Sequence, residues 1–138
     1  MSDMAESAGN GRCALEHAAL TDVGLRRSNN QDCLAVALAG DDQDWHRRGH
    51  LFMVADGMGA HAAGELASKM ACESIPHTYH KLISHSPAES VRQAVATANE
   101  TIHERGQANA EFQGMGTTCS VLVLLPASAI VAHVGDSR

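Results

Sequence analysis

Asp56 stands where an apolar segment gives way to glycine. Residues 51–55 are all apolar, and Gly57 and Gly59 follow the aspartate within three positions. Such a run is typical of a buried strand, and the glycines let the backbone turn sharply beside the carboxylate. Carboxylate and carbonyl oxygens held in this way are the ligands that Mg²⁺ and Mn²⁺ prefer. Taken alone, an Asp-Gly pair is more often a simple turn, so the assignment depends on its surroundings.

A second carboxylate is expected beside the first. Asp32 opens the apolar segment 32–38, whereas Asp56 closes the segment 51–55. If these two segments are neighbouring antiparallel strands, the start of one lies beside the end of the other, and both carboxylates reach the same rim. Arg27 precedes Asp32 by five residues and can reach this rim too. Carboxylates for cations and a guanidinium for an anion are what phosphate-ester chemistry requires.

The elements that would position these groups form an α+β fold. Two helices would cover one face of a largely antiparallel sheet, with residues 51–55 as a central strand covered on both faces. The predicted strands are residues 13–20, 32–38, 51–55, 117–125 and 129–134, and the predicted helices are 62–79 and 87–105. Pro76 is expected to kink or end the first helix, a capping box at Ser86 begins the second, and Gly106 ends it.

The remaining segments are predicted to be irregular. Residues 1–12 are polar and rich in small side chains, which predicts a disordered tail ahead of one domain at 13–138. Residues 25–31 and 107–116 are predicted to form loops, and residues 40–49 are predicted to form a solvated connection between strands.

Composition excludes several classes of function. A net charge of −6 and an aromatic content of 3% argue against a nucleic-acid partner. The four cysteines form no C-x-x-C pair, and no apolar run is long enough to cross a membrane. The first residues lack the apolar core of a signal peptide. We therefore expect a cytoplasmic monomer in a reducing compartment.

Four short motifs occur in a fixed order along the chain. They are R-S-N-N-Q-D at 27–32, V-A-D-G-M-G at 54–59, G-T-T at 116–118 and G-D-S-R at 135–138. Together they resemble the successive motifs of metal-dependent PP2C-type (PPM) serine/threonine protein phosphatases, in their bacterial form. The resemblance runs from about residue 21 to residue 138. It implies an αββα sandwich of which this chain carries the N-terminal part, so the sandwich would be incomplete.

The resemblance also implies roles for individual residues. Asp56 resembles the aspartate that bridges two Mg²⁺ or Mn²⁺ ions, and Gly57 the residue whose carbonyl binds one of them. Asp32 resembles a carboxylate that holds metal-bound water, and Arg27 resembles the phosphate clamp. Asp136 resembles an acidic residue near an accessory third ion. The implied reaction is attack of a metal-activated water on phosphoserine or phosphothreonine in proteins, the substrates of a serine/threonine kinase.

Some features depart from the family pattern and leave alternatives open. Gln31 stands where many relatives have glutamate, and relatives supply further metal-binding aspartates from motifs beyond G-D-S-R. One alternative is therefore a weakly active or inactive phosphatase-fold module that binds phosphoproteins. A weaker one is a generic Mg²⁺-binding protein acting on small phosphates. His61 could serve as a general acid, although a histidine at this position is more often a surface or capping residue.

Overall fold

The structure, a computed structural model, describes residues 15–138. Its strands are β1 (Asp32–Ala37), β2 (His50–Met58), β3 (Gly116–Thr117), β4 (Cys119–Leu124) and β5 (Ala129–Val134). Its helices are α1 (Asp42–Arg47), α2 (Ala63–Lys81) and α3 (Pro87–Ala108), and a short 3₁₀ helix spans Ala110–Phe112. The tail predicted at 1–12 lies outside the described residues.

The strands form one antiparallel sheet. Its order is β1-β2-β4-β5, and β3 pairs with the end of β2. Helices α2 and α3 pack against each other, and α2 also packs on β1 and β2. The core lies between helices and sheet and includes Leu51, Met53, Ile75, Tyr79 and Val121. The predicted α+β architecture, with helices on one face of an antiparallel sheet, is confirmed.

The other face of the sheet is open. In β2 the side chains alternate, so that Leu51, Met53 and Ala55 are buried whereas Val54 is 55% exposed. On β5, Val131 lies on the same face of the sheet as Val54 and is 72% exposed. The prediction that both faces of residues 51–55 are covered is therefore wrong for this chain, because only the helix-facing residues are shielded. An αββα sandwich would place its second sheet here, so the observed half agrees with an incomplete sandwich.

The predicted strand at 13–20 is not observed. Residues 15–20 have no regular secondary structure, and the two preceding residues lie outside the described part. The apolar side chains of this segment lie over the open face instead, where Ala18, Ala19 and Leu20 line a shallow groove. An apolar pattern alone does not supply the hydrogen-bonding partner that a strand requires.

The connection at 40–49 is more ordered than predicted. It contains α1, whose first turn is capped because the Asp41 carboxylate accepts the Asp44 N–H. Trp45 is buried and stacks on His50 with ring centroids 4.6 Å apart. Arg48, only 6% exposed, lies 4.1 Å from the Tyr79 ring centroid. The charged residues of this segment predicted a solvated loop, but burial of Trp45 and Arg48 against the rest of the fold orders it instead.

Both long helices run past their predicted ends. Helix α2 continues through Pro76 to Lys81. Arg48 holds its last turn, since the guanidinium donates to the Tyr79 carbonyl and the Tyr79 hydroxyl donates back to the Arg48 carbonyl. Helix α3 begins at the predicted Ser86 cap, whose hydroxyl accepts the Glu89 N–H, and passes through Gly106. In residues 15–138 we find no helix with both the length and the apolarity needed to cross a bilayer.

Candidate metal and phosphate site

Asp32 and Asp56 lie directly opposite each other. In the antiparallel register of β1 and β2 their Cα atoms are partners. Both residues are exposed, so their carboxylates are accessible at the rim of the sheet. The same-rim geometry argued from the sequence is present, although Asp56 lies within β2 rather than at its end because the strand continues to Met58. The catalytic and metal-binding roles of these residues stay predictions.

Electrostatics link four predicted residues at this rim. Partial desolvation raises the pKa of Asp56, and the Asp32 carboxylate raises it further through its charge and a shared hydrogen bond. The Asp136 carboxylate acts in the same direction, whereas the positive charge of Arg27 lowers the pKa. Arg27 lies in the exposed loop before β1, and Asp136 lies in the exposed segment after β5. The fold therefore brings Arg27, Asp32 and Asp136, from three other segments of the chain, within electrostatic range of Asp56.

A close approach of backbone fixes the position of Gly57. A Cβ atom at this glycine would lie 1.8 Å from the Gly64 carbonyl oxygen, so no larger residue fits between β2 and the start of α2. The Gly57 N–H donates to the Gln31 carbonyl at 2.9 Å. The start of α2 therefore lies against Gly57 and Gln31, the residues next to Asp56 and Asp32 on one side of the carboxylate pair.

The Gln31 side chain spans the turn that follows Asp56. Its Nε2 lies 3.4 Å from the Gly59 carbonyl oxygen and 3.5 Å from that of His61, and it can donate to both. A glutamate carboxylate at this position could not donate either bond. His61 itself is exposed and has a φ of 55°, in the left-handed region. Gln31 therefore acts here on the backbone of the turn, a role that its sequence position did not reveal.

A cavity of about 350 Å³ lies beside the carboxylate pair. Asp22, Asp32, Asp56 and Ser137 border it, and Leu20 and Val54 form part of its apolar wall. The Asp22 carboxylate also accepts the Gly24 N–H at 2.7 Å, which fixes the turn leading to Arg27. The cavity has room for hydrated ions and a phosphate group at the rim. Asp22 and Ser137 were not among the residues predicted from the sequence.

Thr118 supports Asp56 from the opposite side of β2. Its hydroxyl oxygen accepts the Asp56 N–H at 3.0 Å, and its own N–H donates to the Asp56 carbonyl at 2.9 Å. The G-T-T motif pointed to this stretch without indicating what Thr118 does. Knowledge of the register between β2 and the 116–118 segment was needed to find the contact.

The donor set suits a hard divalent cation but is not a complete cage. Asp32 and Asp136 lie close enough to Asp56 to act on its charge, and carboxylate oxygens are the ligands that Mg²⁺ and Mn²⁺ prefer. A bound cation would offset the mutual repulsion of these carboxylates. Among residues 15–138, however, no group of three His, Cys, Asp or Glu side chains is arranged to hold a metal ion by itself. Because Mg²⁺ retains several waters when bound, two carboxylates with water ligands are compatible with binding.

Comparison with known proteins gives a consistent result. The family described as Protein phosphatase 2C matches residues 25–138. The chain is 39% identical over 129 residues to the protein phosphatase PhpP of Streptococcus pneumoniae, covering 90% of this chain and 49% of that protein. It is 31% identical over 124 residues to the serine/threonine protein phosphatase PstP of Mycobacterium tuberculosis, covering 90% of this chain and 22% of that protein.

Solved structures show the same likeness. The crystal structure of the serine/threonine phosphatase Stp1 from Staphylococcus aureus matches with a TM-score of 0.69 and 31% identity, over 86% of this chain and 46% of that one. The catalytic domain of PstP in complex with two manganese ions matches with a TM-score of 0.68 and 30% identity, over 85% and 46%. The chain thus spans about half the length of these relatives, or less.

Proposed function

Because the chain belongs to the protein phosphatase 2C family, we propose that it carries the metal- and phosphate-binding rim of a phosphatase acting on phosphoserine and phosphothreonine in proteins. The observation that supports this most is the pairing of Asp32 with Asp56 across β1 and β2, within electrostatic range of Arg27 and Asp136. This arrangement provides acidic oxygens for cations and a guanidinium for a phosphate at one accessible rim.

Each rim residue has a proposed role. Asp56, with the Gly57 carbonyl, would hold two Mg²⁺ or Mn²⁺ ions, while Asp32 orients water and Asp136 serves an accessory third ion. When bound, such ions supply positive charge that lowers the pKa of water and offsets charge on the phosphoryl oxygens. The PstP catalytic domain that matches this chain was solved with two manganese ions, which supports the choice of metal.

Recognition of the substrate would depend mainly on charge. A phosphoserine carries about −1.5 to −2 charges at neutral pH, and the Arg27 guanidinium can contact two phosphate oxygens at once. Arg27 is exposed, so an extended phosphopeptide can approach it. The substrates would be proteins modified by a serine/threonine kinase. The free thiols of Cys33, Cys72 and Cys119 suit the reducing cytoplasm, where we propose that the protein acts as a monomer.

A second candidate function is binding without catalysis. Residues 15–138 contain no three-residue group arranged to hold a metal ion, which favours a module that docks phosphoproteins through Arg27. The two candidates differ in one respect that can be measured. A binding module would retain phosphopeptide affinity in the absence of Mn²⁺ and would release no phosphate.

Hydrolysis of a phosphothreonine peptide tests the proposal. We expect phosphate release from the full chain to require Mn²⁺ or Mg²⁺ and to fall at least about 100-fold in the Asp56→Asn variant, since that change removes a metal ligand. Glu104→Gln provides a matched control, because Glu104 is an exposed acid on α3 far along the chain from the rim. Equal rates in the wild type and Asp56→Asn would refute the catalytic proposal. Metal-independent peptide binding without turnover would favour the binding module.

A further inference from the structure

Asp56 lies where β2 changes its pairing partner. On the side of β2 away from β1, residues up to Val54 pair with β4, and Gly57 and Met58 pair with β3. Thr118 lies between β3 and β4 and belongs to neither strand. Because the pairs Val54 with Ser120 and Gly57 with Thr117 share one register, Thr118 is the residue that faces Asp56.

At this point a side chain replaces the main chain in the hydrogen-bond ladder. The Thr118 N–H donates to the Asp56 carbonyl at 2.9 Å, as expected for a paired antiparallel residue. The return bond is different, because the Asp56 N–H donates to the Thr118 hydroxyl at 3.0 Å and not to the Thr118 carbonyl. The Thr117 hydroxyl donates to that carbonyl at 2.8 Å. The ladder is therefore interrupted beside Asp56, and two threonine hydroxyls satisfy the displaced groups.

The Thr118 hydroxyl also reaches the segment that carries Asp136. Its oxygen lies 2.8 Å from the Ser137 hydroxyl oxygen. Since the Thr118 oxygen already accepts the Asp56 N–H, its own hydrogen is available to donate to Ser137. The Thr118 methyl group packs against Gly135, where an added Cβ atom would lie only 2.8 Å from Thr118 Cγ2. Gly135 also has a φ of 103°, which favours glycine. Thr118 is buried, so water does not readily replace these contacts.

We propose that Thr118 is a positioning residue that sets the geometry of Asp56 and couples it to the Gly135–Asp136–Ser137 segment. The Thr118 hydroxyl accepts a hydrogen bond from the Asp56 N–H and shares a second hydrogen bond with the Ser137 hydroxyl, so the two acidic positions are held relative to each other. One consequence is that metal affinity depends on a residue that does not touch the metal, and this consequence rests on the proposed function. The hydrogen-bonding part of the inference can be tested without any metal.

Two substitutions separate the hydroxyl from the methyl group. Thr118→Val keeps the branched shape and removes the hydroxyl, whereas Thr118→Ser keeps the hydroxyl and removes the methyl. Thr117→Val is the control, since it removes a neighbouring hydroxyl that bonds to Thr118 and not to Asp56. Hydrogen exchange of the Asp56 amide would be measured by NMR in the metal-free full chain, and Mn²⁺ affinity would then be measured by titration calorimetry.

We expect the Asp56 amide to exchange on the order of 10-fold faster in Thr118→Val, because its acceptor is lost, and at nearly the wild-type rate in Thr118→Ser and Thr117→Val. Mn²⁺ affinity should fall about 10-fold in Thr118→Val and recover in Thr118→Ser. Unchanged exchange in Thr118→Val, or an equal increase in Thr118→Ser, would overturn the inference. If the wild type binds no Mn²⁺, the proposed function fails, while the exchange rates still decide the role of Thr118.

Discussion

Replacing Asp56 with asparagine should change stability in opposite directions with and without metal. In the metal-free chain Asp32 and Asp56 are cross-strand partners of like charge, and Asp136 adds to the repulsion. Like charges directly opposite each other destabilise a strand pair. If the rim binds Mn²⁺ as proposed, the wild type should gain stability in its presence that the variant cannot gain. A purely structural aspartate would show no such reversal.

The size of each effect can be estimated. Cross-strand side-chain pairs contribute about 0.2–1 kcal/mol, so Asp56→Asn should stabilise the metal-free chain by this amount. A ligand at 100 times its dissociation constant stabilises the folded state by about 2.7 kcal/mol. Unfolding entropy of about 2.1 cal/mol/K per residue converts 1 kcal/mol into roughly 3 °C for a chain of this length. The variant should therefore melt about 1–3 °C higher than the wild type without metal, and the wild type should gain about 9 °C with it.

Thermal unfolding followed by circular dichroism provides the assay. Wild type, Asp56→Asn, Asp32→Asn and the control Glu104→Gln would be melted in chelator and again at a saturating Mn²⁺ concentration. We expect both rim variants to melt above the wild type in chelator and below it in Mn²⁺, with the control following the wild type. If Asp56→Asn is less stable than the wild type in chelator, repulsion at the rim is refuted. An equal Mn²⁺ response in both would refute metal binding by Asp56.

Three further predictions concern His80, Gln31 and Arg27. Partial desolvation and the charge of Arg48 lower the pKa of His80, while Asp44 acts in the opposite direction, so the neutral form is favoured in the folded state. Stability from this source is fully present above the unfolded-state pKa of about 6.5 and is lost as pH falls from there through the lowered folded-state pKa. The melting temperature of His80→Gln should therefore depend less on pH than that of the wild type between about pH 5 and about pH 7.5. Parallel pH curves for the two proteins would contradict this. Gln31→Glu should lower stability by about 1 kcal/mol in urea denaturation, because the carboxylate cannot donate to the Gly59 and His61 carbonyls, and an unchanged midpoint would be inconsistent with that role. Arg27→Met should reduce kcat/KM for a phosphothreonine peptide by about 10- to 100-fold through the loss of charge-assisted bonds to phosphate, whereas an unchanged ratio would exclude Arg27 as the clamp.

Local sequence signals were sufficient for most of the sheet. Apolar runs with the period of strands located β1, β4 and β5, and β5 has the predicted bounds Ala129–Val134. The pairing of Asp32 with Asp56 followed from one assumption, that neighbouring strands run antiparallel, and the observed register satisfies it. The Ser86 cap was predictable because it depends on residues four positions apart or less.

Features that depend on distant contacts were not predictable in the same way. Helix α2 extends beyond its predicted end, and its last turn is held by Arg48, far away in the sequence, which binds the Tyr79 carbonyl and lies over the Tyr79 ring. Thr118 was recognised only as part of a motif, since its contact with Asp56 joins residues 62 positions apart. In each case the interaction is tertiary, so local propensity gives the wrong helix end or gives no role at all.

Paramagnetic broadening by Mn²⁺ tests most directly whether the paired aspartates form the metal site. In an amide NMR spectrum of the full chain, substoichiometric Mn²⁺ should first broaden the signals of Asp32, Asp56 and Gly57 and then those of Thr118 and Asp136. The same addition to Asp56→Asn should leave these signals sharp. Broadening centred on another part of the chain, or persisting unchanged in Asp56→Asn, would contradict the account.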